Sequence, residues 1–120
     1  MSEEDTIPFI SFDEMDGVLE ISGRSILEYP DKVFQPLLVR VMEYLCNPAE
    51  KTSVVMNFEY INTASVKWVF HILGRMEKAY VENHHVVEVK YYYADENILE
   101  TGKYLQINLA LPIDLIKSNS

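Results

Sequence analysis

The sequence predicts a single α/β domain: a mixed β-sheet with helices packed on it, in the order ββαβαβαβ. Three observations predict it. Two short apolar runs flank Asp16-Gly17, a hairpin signal, so the chain opens with an antiparallel pair. Residues 33–45 and 66–80 carry apolar side chains at the helical period. Each of these stretches leads into a run rich in β-branched and aromatic residues. Strand–helix–strand units of this kind need parallel neighbours joined by right-handed crossovers.

At 120 residues the chain reads as one domain, 1–120, with tails at 1–6 and 117–120. A domain of this size buries about two-thirds of its unfolded surface, so neither a metal nor a disulfide is needed for folding. Cys46 is the single cysteine, which excludes an internal disulfide and a multi-cysteine zinc site. Its place in an apolar helical pattern makes it a small core residue. The formal charge of −9 argues against nucleic acid and anionic membrane as partners, since both need basic patches. The opening Met1-Ser2-Glu3-Glu4-Asp5 is not a signal peptide, and no apolar run reaches membrane-spanning length. The expectation is a cytoplasmic chain.

In order, residues 7–12 form a short strand, 13–17 a turn, and 18–23 a returning strand whose Leu19 and Ile21 oppose the more polar Val18, Glu20 and Ser22. Residues 23–30 read as a loop. Asp31 is a fair N-cap for the first helix, although Pro36 then falls beyond the positions where proline costs nothing, and a start nearer Phe34 or Gln35 would remove that conflict. Asn47-Pro48 ends the helix. Residues 49–53 are a polar link into the strand 54–61, whose two-sided apolar start suits a central position. The second helix buries Val66, Val69, Phe70, Leu73, Met76 and Tyr80, and turns Lys67, His71, Arg75 and Lys78 the other way. Gly74 weakens it by about 1 kcal/mol relative to alanine. A third long strand follows at 85–93, then a helix from about 95 to 105 capped by Asp95, then a last strand at 113–116.

The motifs of catalysis are missing from the sequence. His84 and His85 are adjacent and would point to opposite faces of a strand, and His71 lies on a polar helix face. Glycines at 17, 23, 74 and 102 make no phosphate loop. Asp13, Glu14 and Asp16 do not have the spacing of a calcium loop. The expectation is therefore no metal, no cofactor and no catalytic residue.

What remains is the strand-to-helix junction Asn62-Thr63-Ala64-Ser65. Asn62 or Thr63 is the N-cap, which is the ordinary use of such residues there. A capping position is also one where an added phosphate on Thr63 or Ser65 would meet free N–H groups and a favourable field.

Four stretches resemble the SiaC family of bacterial regulatory phosphoproteins, small domains whose fold is similar to the STAS anti-sigma-factor antagonists. They are Gly17-Val18-Leu19-Glu20-Ile21-Ser22-Gly23-Arg24-Ser25; Glu28-Tyr29-Pro30 with Phe34-Gln35-Pro36-Leu37-Leu38; Phe58-Glu59-Tyr60-Ile61-Asn62-Thr63-Ala64-Ser65-Val66-Lys67-Trp68; and Leu111-Pro112. Ala64 stands where the family's usual run has a second hydroxyl, while Thr63 and Ser65 are retained. The resemblance implies a STAS-like mixed sheet and a partner switch without catalytic activity. It implies a serine/threonine kinase that phosphorylates Thr63, with Ser65 as second choice, and a metal-dependent serine/threonine phosphatase that reverses it. It implies an unphosphorylated form that binds a GGDEF-type diguanylate cyclase in cyclic-di-GMP and biofilm signalling. The expected contact set is Asn62, Thr63, Ser65, Lys67 and His71. Charge alone leaves the sign of the switch open, and the resemblance favours release of the partner on phosphorylation. Two other classes compete: a small ligand-binding domain or enzyme with a pocket near the Asp13–Asp16 turn and Thr63, and a homodimer built on an exposed strand edge. The expected state is a monomer or weak homodimer.

Overall fold

Three consecutive crossovers that all step the same way decide the architecture. The computed structural model describes residues 6–118. Its elements are β1 (Phe9–Asp13), β2 (Val18–Ser25), α1 (Asp31–Leu45), β3 (Lys51–Ile61), α2 (Thr63–Asn83), β4 (Val86–Tyr93), α3 (Glu96–Asn108) and β5 (Ile113–Lys117). The strands lie side by side in sequence order; β1 pairs antiparallel with β2 and each later pair is parallel. Right-handed crossovers in one direction place every helix on the same face of the sheet. Register and burial agree. Phe12, Leu19, Val54, Val89 and Ile113 align across the five strands, as do Ile21, Met56, Tyr91 and Leu115 on four of them. These residues join Phe34, Leu37 and Val41 of α1, Val69, Ile72, Leu73 and Met76 of α2, and Ile98 and Leu105 of α3 in one core. The alternate residues of β3, including Ser53, Val55 and Asn57, lie on the uncovered face. The domain thus has two layers, with the expected mixed sheet and element order.

Several boundaries differ from the sequence reading. Strand β2 continues through Gly23, Arg24 and Ser25, read as loop, because after a bulge Arg24 and Ser25 pair with Tyr60 and Ile61. Strand β3 begins at Lys51, and its polar opening pairs with Val86, Val87 and Glu88. A central strand has neighbours to satisfy its backbone on both sides, so side-chain polarity does not end it. Helix α1 starts at Asp31 despite Pro36; Pro30 is the N-cap, and its carbonyl accepts from Val33 N–H and Phe34 N–H. Asp31 is therefore not the cap but an acidic first-turn residue, favoured by the helix dipole. Pro36 is exposed, so water can reach the carbonyl its missing N–H leaves free. Helix α2 starts at Thr63 and runs to Asn83, where His84 closes it in the left-handed region at φ 56°. Ala79, not Tyr80, takes the buried place there. Cys46 is exposed at the end of α1 rather than in the core, its Sγ against the Met42 carbonyl. The tails are shorter than expected on the described side: Thr6 O accepts from Ile26 N–H, and Lys117 belongs to β5. Residues 1–5 and 119–120 of those tails lie outside the described residues.

The sheet end nearest the β1–β2 turn is closed by a polar chain that the sequence did not announce. Tyr44 Oη lies 2.8 Å from Thr52 Oγ1, and Thr52 Oγ1 lies 2.7 Å from His85 Nε2. Ala49 N–H donates to Tyr44 Oη. If Tyr44 donates to Thr52 and Thr52 to a neutral His85, every proton in the chain has an acceptor. A proton on Nε2 reverses both bonds and leaves the Tyr44 hydroxyl hydrogen without one. Burial accordingly lowers the His85 pKa below its ordinary value of 6.5. Gly17 is required beside this chain: its φ is +69°, and a Cβ would stand 2.5 Å from both Tyr44 Oη and the Lys51 carbonyl.

Two measurements test this packing. Gly74 has open space where a Cβ would go, so Gly74→Ala should raise stability by about 0.5–1 kcal/mol. Gly102 lies on the Tyr91 ring, with a Cβ 2.6 Å from Cε1, and Tyr91 is held fast by full burial and by donation to the Ile98 carbonyl. Gly102→Ala should therefore lower stability by about 1–3 kcal/mol. Urea midpoints of the two variants should move in opposite directions. For His85 the unfolded chain takes up the proton first as the pH falls, so the stability that neutral His85 contributes is intact above pH 6.5 and is lost as the pH drops through that value and through the lower folded-state pKa. The urea midpoint of the wild type should fall between pH 7.5 and 5.5 by more than that of His85→Gln; equal falls would remove His85 as the cause.

Candidate functional site

The site is built from the C-terminal ends of β2 and β3 and the first turns of α2. Asn62 sits between sheet and helix in an extended conformation, and all its polar groups are used. Its N–H donates to the Ser25 carbonyl at 2.9 Å, continuing the β2–β3 pairing into the junction. Its Oδ1 accepts from Ser65 N–H at 2.9 Å, which makes it the N-cap of α2. Its Nδ2 donates to the Leu27 carbonyl at 2.9 Å, tying in the segment after β2. Ser65 closes the clamp: Ser25 Oγ donates to Ser65 Oγ at 2.8 Å, and both serines are 0% exposed.

The two candidate hydroxyls thus part company. Ser65 is inside, its Oγ engaged, and it offers no surface to a kinase or a partner; it leaves the expected contact set. Thr63, the first residue of α2, is exposed, and its hydroxyl has no hydrogen bond among the described residues. Asn62 keeps some exposure but serves as the clamp. Thr63 and Lys67 stand together on a ridge with an open groove on either side. The groove toward α1 is lined by Pro30, Leu38, Trp68, His71 and Arg75. The groove toward α3 is lined by Val66, Glu100, Thr101 and Tyr104. The structure brings Thr63, Lys67 and His71 onto one surface. It adds Arg75, which repeats the four-residue spacing of Thr63, Lys67 and His71, a periodicity already visible in the sequence. The groove residues from α1 and α3 carried no such signal.

Lys67, His71 and Arg75 make a basic strip on a chain of formal charge −9. Among the described residues the ion pairs are Arg40–Glu14 and Lys51–Glu88, so neither Lys67 nor Arg75 is paired. The acidic turn at 13–16 lies elsewhere. Gly17 accepts from Ser53 N–H at the start of β3, whereas Thr63 follows the end of β3. Roughly eight strand residues at about 3.3 Å each separate them. A single pocket between the turn and Thr63 is thus ruled out by the length of β3. Open α/β sheets take ligands in the crevice where strand order reverses, and from β2 to β5 it never does. Among the described residues no group of three or more His, Cys, Asp or Glu side chains could hold a metal ion, and no helix is long and apolar enough to cross a membrane.

Fold and site together define a two-layer α/β domain that presents a capped strand-to-helix junction with one exposed threonine. The chain belongs to the SiaC family of regulatory phosphoproteins, whose family model matches residues 1–118. Among solved structures it is similar to apo-SiaC from Pseudomonas aeruginosa, with TM-score 0.86 and 22% identity over 97% of this chain and 95% of that one. It is equally similar to SiaC in the complex of the diguanylate cyclase SiaD with its activator SiaC from the same organism, with TM-score 0.87 and 22% identity over 95% and 94% of the two chains. At such identity the likeness shows the fold. Comparison with curated proteins finds no match.

The clamp makes a quantitative prediction. Asn62→Ala removes the cap and strands buried polar groups, and should cost about 1–2 kcal/mol. Thr63→Ala, at an exposed position without a hydrogen bond, should change stability by less than about 0.5 kcal/mol. Thermal unfolding of the two variants checks the contrast, and equal losses would contradict this division of roles.

Proposed function

We propose that this chain is a non-catalytic partner switch that is reversibly phosphorylated on Thr63. The observation that carries the proposal is the asymmetry of the junction: Thr63 is an exposed, unbonded hydroxyl on a rigid frame, and Ser65 is sealed within it. In the forward step a serine/threonine kinase directs Thr63 Oγ at the γ-phosphorus of ATP. The Oγ–P bond forms, the hydroxyl proton leaves with a base on the kinase, and ADP departs. A metal-dependent serine/threonine phosphatase returns the hydroxyl by delivering water to phosphorus and releasing phosphate. The chain itself supplies only the acceptor and the surface.

The unphosphorylated form binds and regulates an output partner, a diguanylate cyclase of the GGDEF type, in cyclic-di-GMP and biofilm control. Family membership supports this, together with the description of the similar SiaC as the activator of the cyclase SiaD. The contact surface is the ridge of Thr63 and Lys67 with His71. The basic strip favours an acidic patch on the partner. Phosphorylation adds about −1.5 to −2 charges at the centre of that surface, which opposes such a partner and releases it. The setting is cytoplasmic, where ATP, kinase and cyclase domain meet the chain.

Intact mass and site mapping after incubation with ATP and the cognate kinase test the proposal. One phosphate should appear on the wild type and on Ser65→Ala and be lost from Thr63→Ala. In a pull-down of the partner cyclase, the unphosphorylated chain should be retained, Lys67→Glu should be retained at least several-fold less, and the phosphorylated chain should be lost. A phosphate that persists on Thr63→Ala would refute the assignment of the acceptor.

A further inference from the structure

We propose that a phosphoryl group on Thr63 is held in cis by Lys67, so that the modification acts by reversing the charge of the ridge rather than by blocking it. This rests on the Thr63 reading above and specifies how that modification works.

Thr63 and Lys67 are one turn apart on α2, a rise of about 6 Å. An anion four residues N-terminal to a lysine is the favourable order for such a pair. Both side chains line the groove toward α1 and the groove toward α3, so they share the ridge between them. Lys67 is exposed and has no ion pair among the described residues, so nothing competes for it.

The two grooves differ in charge, and that difference sets the direction. The α1 side is lined by Lys67, His71 and Arg75 and by no carboxylate. The α3 side carries Glu100. A phosphate on Thr63 is thus pushed away from Glu100 and drawn over Lys67 toward α1. His71 and Arg75 lie two and three turns along, at about 12 and 18 Å of rise. That exceeds a Debye length of about 8 Å at physiological salt, which leaves Lys67 as the α2 cation in reach. A threonine phosphate of about −1.5 to −2 charges paired with Lys67 converts a local charge of +1 to about −0.5 to −1. A partner that meets a cation on the unmodified ridge meets an anion on the modified one, and Lys67 is no longer free to bind it.

The test uses the full chain with phosphothreonine installed at position 63 by chemical ligation, so that no kinase enters. Phosphorus NMR follows the second ionisation of the phosphate in the wild type, Lys67→Gln and Lys67→Arg. The helix end acts equally on all three, so the difference isolates the side chain. The midpoint should lie about 0.15–0.4 pH unit lower in the wild type and Lys67→Arg than in Lys67→Gln, and the gap should shrink in 1 M salt, where the Debye length is about 3 Å. Coincident midpoints in the wild type and Lys67→Gln overturn the pairing. If the kinase still labels Thr63 in that case, the switch reading stands and only this inference falls. A lysine-dependent midpoint on a chain that the kinase labels elsewhere supports the pairing and overturns the switch reading instead.

Discussion

The rest of the structure depends on the bonds that one asparagine makes where the central strand ends. Asn62 closes the last β2–β3 hydrogen bond with its backbone, caps α2 with its carboxamide oxygen, and anchors the segment after β2 with its carboxamide nitrogen. The Ser25–Ser65 bond seals the same joint from inside. Ser65 is fully buried at this helix start, so its N–H must be satisfied locally, and Asn62 Oδ1 accepts it. The consequence is a fixed direction for the first turn of α2. Thr63 is exposed while Asn62 and Ser65, which flank it in that turn, are tied to β2 and the segment after it.

Topology accounts for the kind of site this can be. Strands that follow one another across the sheet without reversal, linked by right-handed crossovers, gather all helices on one face. Such a sheet has no switch-point crevice. What it offers instead is the surface between helices, here two open grooves beside a ridge. A surface of this kind suits recognition by another protein, which agrees with a family of regulatory phosphoproteins.

Charge distribution gives that surface a sense. The formal charge of the chain is −9, yet Lys67, His71 and Arg75 are brought together on one helix and left without acidic partners in their groove. An average over the sequence conceals this strip. Charges so placed on a surface act on association rate and on discrimination between partners more than on raw affinity.

Local sequence was enough for the element order, the central place of β3, the cap at Asp95 and the junction that carries the candidate threonine. Each of these is written in local chemistry: apolar period, a side-chain acceptor before a helix, a run of β-branched residues. The choice of Asn62 over Thr63 as the cap of α2 came from the fold. Local chemistry admitted Thr63 and Ser65 alike, two hydroxyls two residues apart at a helix start, and only the family resemblance put Thr63 first. Tertiary structure separated them, by bringing Ser25 from forty residues away to bury Ser65. The same is true of the Tyr44–Thr52–His85 chain, of Gly102 against Tyr91, and of the α1 and α3 walls beside Thr63. All of these are contacts between different elements, some consecutive and some distant in the chain. Periodicity reports which side of an element is buried but not what it is buried against, and that pairing follows from the one-way crossovers and the register of the sheet.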